Sequence, residues 1–176
     1  MKRSYFPGCF VIMLFAVMSF FSQPVYAGPP ETIASDARCA VCGMFVTKYP
    51  NWVTQIRYSD GSEKYFDGVK DLMAHFFDSA AYGTDSKIEP KEIWVKDYYS
   101  LQWIPGRSAF YVMGSDIYGP MGEELVPFAE RKSADNFLTD HHGKKVLTFD
   151  EITSEMVESM RAAHKMKGHM KGHMMK

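Results

Sequence analysis

With 20 basic and 21 acidic side chains in 176 residues, the chain is nearly neutral, which excludes a nucleic-acid-binding surface built on bulk positive charge. The length suits one ordinary domain, or two small ones sharing a core. Three cysteines are too few for a disulfide scaffold, whereas thirteen methionines are many.

Lys2 and Arg3 open the chain, an apolar run extends from Phe10 to Phe21, and Val25-Tyr26-Ala27 has the form of a cleavage site. This is the layout of a secretory signal peptide. The run is shorter than the ~20 apolar residues of a membrane-spanning helix, which weighs against an uncleaved anchor. Cys9 precedes the run instead of following it, which weighs against lipid attachment. Residues 1–27 are therefore predicted to be a signal peptide cleaved after Ala27, leaving a periplasmic protein with no stable membrane span. Cys39 and Cys42 are then its only cysteines. Residues 28–37 are short, polar and proline-bearing, as in a flexible leader.

Strand-like sequence begins near Met44. Trp52 to Tyr58 alternates weakly, Asp60-Gly61 signals a hairpin turn, and Glu63 to Phe66 answers as the return strand. Asp67 is placed to cap a helix. In that helix Val69, Leu72, Met73, Phe76 and Phe77 share one face, and Lys70, Asp71, His75 and Asp78 the opposite, polar one. Ile93-Trp94-Val95 is the next strand. The order then repeats: a strand over Ala109 to Met113, a partner over Glu124 to Phe128, a helix capped by Ser133, and a last strand from Lys145 to Phe149. Short connections favour antiparallel neighbours. The expected fold is α+β, with two related ββαβ halves over residues 38–100 and 101–152. A C-terminal helix over 153–164 and a His/Met-rich tail over 165–176 complete it. Lys-Gly-His-Met occurs twice in that tail, whose large apolar residues are all methionine, so it is expected to be disordered without metal.

Chemistry concentrates in Cys39-Ala40-Val41-Cys42-Gly43-Met44. A redox Cys-x-x-Cys needs a helix starting at the motif to lower the first thiol's pKa, and Gly43 and Pro50 instead suggest strand and turn. A zinc half-site would need histidines or carboxylates to complete it. A soft-metal site explains most residues, because thiolate and thioether sulfur select copper(I). In an extended segment Cys42 and Met44 would point to one side. Met121, in Gly119-Pro120-Met121-Gly122, is the best third donor, since a methionine in a glycine-flanked turn has little local core to fill. In the tail His169, Met170, His173 and Met174 suit either copper oxidation state, while neighbouring lysines repel a cation, so the tail reads as a weak collecting arm. His75 is expected to be solvated, and His141 and His142 to lie in a turn. Tyr98, Tyr99, Trp103, Phe110 and Tyr111 read as core or partner contacts. No nucleophile elbow, phosphate loop or acid–base pair has a meaningful spacing.

From Arg38 to Ile152 the chain resembles the NosL family of nitrous oxide reductase accessory proteins. The resemblance rests on Cys42-Gly43-Met44, Gln55-Ile56, Gly68-Val69-Lys70-Asp71, Ala109 to Ser115 and, above all, Met121-Gly122-Glu123-Glu124-Leu125-Val126-Pro127-Phe128. It implies two ββαβ halves and a periplasmic copper(I) metallochaperone, not an enzyme. The implied partner is nitrous oxide reductase, whose catalytic centre is a copper–sulfide cluster, or its membrane copper-delivery machinery. It also implies copper ligation by Cys42 and Met121, with Met44 a third donor. Many members are lipoproteins and many have one cysteine before the methionine. Here Cys39 is a second, able either to ligate or to pair with Cys42 and block binding until reduced. A general copper buffer or resistance protein, or a thiol–disulfide oxidoreductase, are the alternative readings.

Overall fold

The computed structural model describes residues 28–29 and 32–163. The predicted signal peptide and the tail donors His169, Met170, His173 and Met174 lie outside the described residues. Among the described residues, seven strands form two antiparallel sheets. In the first half β1 (Thr54–Tyr58) and β2 (Glu63–Phe66) make a hairpin, α1 (Val69–Phe77) follows, and β3 (Pro90–Lys96) and β4 (Trp103–Pro105) complete a sheet of order β2-β1-β3-β4. The second half has β5 (Phe110–Gly119), β6 (Gly122–Phe128), α2 (Arg131–Asp140) and β7 (Lys145–Thr148), in a sheet of order β6-β5-β7. Each half thus places its first strand between its second and the strand that follows its helix. A final helix, α3, runs over 154–163. No helix among the described residues is long and apolar enough to cross a membrane.

The predicted α+β class and most element positions hold, and the departures have physical causes. Trp103–Pro105, expected in the second half, pairs with β3 and extends the first sheet, so the boundary drawn at residue 100 falls inside that sheet. Helix α2 begins at Arg131 with Glu130 at its N-cap, ahead of the expected Ser133. The strand expected near Met44 is instead a short helical turn, Val46–Lys48.

The alternation of β5, β6 and β7 buries both faces of the second sheet. Tyr111, Leu125 and Leu147 face the main core, with Val69, Leu72, Met73, Ile56 and Phe66. Val112, Val126 and Phe128 face the other way and pack with Ala134 and Phe137 of α2. Helix α1 packs against β1 and β2 on one side and β6 on another, and Val69 to His75 are all buried. Of its predicted polar face, Lys70, Asp71 and His75 are therefore withdrawn from water, and Asp78 at the C-cap is exposed. His75 is 0 % exposed, bonded through Nδ1 to the Tyr58 hydroxyl (3.1 Å) and through Nε2 to that of Thr84 (3.1 Å), and its ring stacks on Tyr82. Helical periodicity identifies one apolar face and cannot show that a second sheet covers the opposite one.

Candidate metal centre

The cysteine motif is a bent loop hung on the edge of β2. The Cys39 N–H donates to the Met44 carbonyl (2.8 Å), the Gly43 N–H donates to the Cys39 carbonyl (2.9 Å), and Arg38 bridges to Phe45. The Ala40 N–H donates to the Tyr65 carbonyl of β2 (3.0 Å), fixing the loop to the sheet. Gly43 lies at φ +76°, a left-handed conformation that favours glycine. This bend overturns the expectation of an extended Cys42-Gly43-Met44 segment with both sulfurs on one side. The Cys42 N–H instead turns back towards the Cys39 sulfur (3.5 Å).

Across from the loop stands the start of α1. Asp67 does not cap it: the N-cap is Gly68, which has no side chain to offer. Asp67 Oδ2 accepts from the Cys42 thiol (3.4 Å) and Asp71 Oδ2 from the Cys39 thiol (3.5 Å). One donor atom from each of Cys39, Cys42, Asp67 and Asp71 lies within 4.8 Å of all the others. Cys42 is half-buried and the other three are buried. Both thiols are free. Sequence reasoning misses the two aspartates as site residues. Asp67 lies ahead of the Gly68 N-cap and Asp71 in the first turn of α1, so no helix-face spacing links them in the sequence.

The cluster is electrostatically crowded. The side-chain interaction with the Cys42 thiol, then burial, then the charges of Asp67 and Asp71 push the Cys39 thiol well above its usual range, against the opposing Cys42 N–H. Burial and the charge of Asp67 likewise raise Asp71. Asp67 Oδ1 is buried without a hydrogen-bond partner. Burial and like charge thus favour the protonated forms of Cys39 and Asp71, a penalty that a bound cation would relieve. Two thiols supply soft donors and two carboxylates supply negative charge, a donor set that fits a metal ion.

The other predicted donors are placed as follows. Met44 is half-buried at the end of the loop, paired through its carbonyl with Cys39. Met121 is half-buried in the turn joining β5 to β6, between the paired Gly119 and Gly122. That turn is tied to α1, since the Lys70 ammonium donates to the Met121 carbonyl (2.6 Å). His141 accompanies Asp116 on the surface, away from the cluster.

Fold and site together define a small α+β protein whose buried thiol–carboxylate cluster suits a metal ion. The NosL family model matches residues 30–157, and the chain belongs to that family. It is 28% identical over 152 residues to a copper-binding lipoprotein NosL of Stutzerimonas stutzeri, spanning 82% of this chain and 75% of the relative. A protein of the same description from Achromobacter cycloclastes is 30% identical over 141 residues, 73% of this chain and 69% of its own length. The crystal structure of the copper chaperone NosL from Shewanella denitrificans superposes with a TM-score of 0.59 at 28% identity, covering 72% of this chain and 99% of that one.

Proposed function

We propose that this protein is an exported, periplasmic copper(I) metallochaperone that supplies copper for the maturation of nitrous oxide reductase. The convergence of two free thiols on one half-open loop carries the reading. Copper(I) is the cargo, and thiolate donors select it. Cys42 is the more accessible sulfur and the first an incoming or departing ion meets. Cys39, buried behind it, is a second thiolate. Met121 and Met44 are the thioether donors, one from each half. Soft ligands with one exposed edge permit exchange of the ion to a partner, where a closed cage resists it.

The relatives named as copper-binding lipoproteins and as a copper chaperone support the choice of cargo. The thiol oxidoreductase reading is disfavoured by geometry: the motif occupies a bent loop, not a helix N-terminus, and its first thiol is pushed up, not down.

Substituting Cys42→Ser abolishes tight copper(I) binding, read by competition with a chromogenic copper(I) chelator, and unchanged affinity refutes the site. Delivery is separated from buffering in a deletion strain. Delivery predicts nitrous oxide reductase that lacks its copper–sulfide cluster at ordinary copper supply. Buffering predicts an intact reductase and heightened copper sensitivity.

A further inference from the structure

Lys70 is 1 % exposed. Lysines ordinarily extend their ammonium group to water, and this one turns inward instead. Its Nζ donates to the Met121 carbonyl (2.6 Å) and the Glu123 carbonyl (2.7 Å), both at the β5–β6 turn of the other half. Its backbone N–H donates to Glu124 Oε1 (2.5 Å), which also accepts from the Leu125 N–H (3.0 Å). Helix α1 has no capping side chain of its own, so the Glu124 carboxylate takes that role from across the interface. Space for it is made by two glycines. A Cβ on Gly68 would overlap Glu124 Oε2, and one on Gly119 would sit 3.1 Å from the same oxygen.

Burying an ammonium group whose partners are two carbonyls is costly and adds little stability over an apolar contact. A hairpin whose ends already pair at Gly119 and Gly122 does not need it to close. What it fixes is the location of the turn. Lys70 stands between Asp67 and Asp71, the carboxylates that face the thiols, and it grips the residue that carries the second half's soft donor.

We infer that Lys70 is a positioning residue of the copper site, its ammonium holding the Met121 turn against the start of α1 so that the thioether of one half meets the thiols of the other. The inference rests on Met121 being a copper ligand. Glu124, its pKa pushed up to about 8 by burial, holds the backbone N–H of Lys70 and so fixes the start of the helix that carries it.

The test compares copper(I) affinity, by chelator competition, in the wild type, Met121→Leu, the paired variant Lys70→Leu/Glu124→Gln, and the triple variant. The paired change removes the buried ammonium and the ionisable carboxyl, while glutamine keeps an acceptor for the backbone N–H of residue 70. Met121→Leu and the paired variant are each expected to weaken binding about 10–100-fold. The triple variant is expected to bind no more weakly than Met121→Leu, because Lys70 acts through Met121. X-ray absorption on the copper-loaded paired variant is expected to show one sulfur neighbour fewer than wild type. Wild-type affinity in a folded paired variant, or losses that multiply in the triple variant, overturns the inference. Wild-type affinity in Met121→Leu overturns the ligand assignment itself. If the paired variant does not fold, copper(I) titration of the wild type by NMR decides. The Met121 methyl and the Lys70 terminal methylene must shift together, and a Met121 shift with Lys70 unmoved overturns the inference.

Discussion

Gly68→Ala places a methyl group where the Glu124 carboxylate sits. The backbone at Gly68 is extended, at φ 178° and ψ 166°, so alanine meets no conformational penalty there and the cost is steric. The new Cβ would overlap Oε2 of Glu124 and stand 2.9 Å from its Cδ, far inside van der Waals contact. The carboxylate cannot swing aside freely, because Oε1 holds two backbone N–H groups and Gly119 closes the opposite side. Overpacking costs about 1–3 kcal/mol, and leaving one buried N–H without its partner costs about 1–3 kcal/mol more. The expected loss is thus about 2–6 kcal/mol, a large share of the stability of an ordinary domain. Gly61→Ala is the control. Gly61 has φ +84°, and an added methyl there would find nothing within 4 Å, so its cost is conformational, about 1–2 kcal/mol. Urea unfolding followed by tryptophan fluorescence measures both. A Gly68→Ala variant no less stable than Gly61→Ala refutes the account of how the hairpin end seats on α1.

Phe137→Ala removes the ring that meets Tyr98 and Phe128 at 4.9 Å each and His141 at 4.3 Å. It is expected to cost about 3–5 kcal/mol in urea unfolding while sparing copper affinity, since Phe137 belongs to the cluster under α2 and not to the thiol site; a parallel loss of affinity would count against that separation. His75 has its pKa lowered from 6.5, chiefly by burial and secondarily by the charge of Lys64. The unfolded chain therefore takes the proton first as pH falls. The stability that His75 contributes is complete above pH 6.5 and is lost as pH drops from there through its folded pKa. The stability difference between wild type and His75→Gln should shrink between pH 7 and pH 5, and a constant difference across that range contradicts the buried neutral state.

Local signals are legible wherever one residue type forces one geometry. Asp60-Gly61 does make the β1–β2 turn, with Gly61 at positive φ, and the return strand runs over Glu63–Phe66 as expected. The alternation in Lys145 to Phe149 and the apolar stripe of α1 are equally readable. What cannot be read is mutual cover. The face carrying Lys70, Asp71 and His75 is polar by composition, and only the packing of α1 against both sheets buries it. The same holds for the site. Cys39 and Cys42 announce themselves by spacing, but Asp67 looks like an N-cap and Asp71 like a solvated helix residue. Their role appears only when the cysteine loop is folded back onto β2. The bend at Gly43 escapes any reading that takes glycine for mere lack of bulk, because its permission for a left-handed φ decides the geometry.

That bend has a bearing on how a carrier can work repeatedly. The loop from Cys39 to Met44 is closed by its own amide–carbonyl bonds and stitched to Tyr65, so the ion's ligands are not what gives the loop its form. Little ordering entropy is then spent at each capture or recovered at each release. A zinc finger collapses when its ion is withdrawn; a vessel of this construction keeps its shape while its contents change hands.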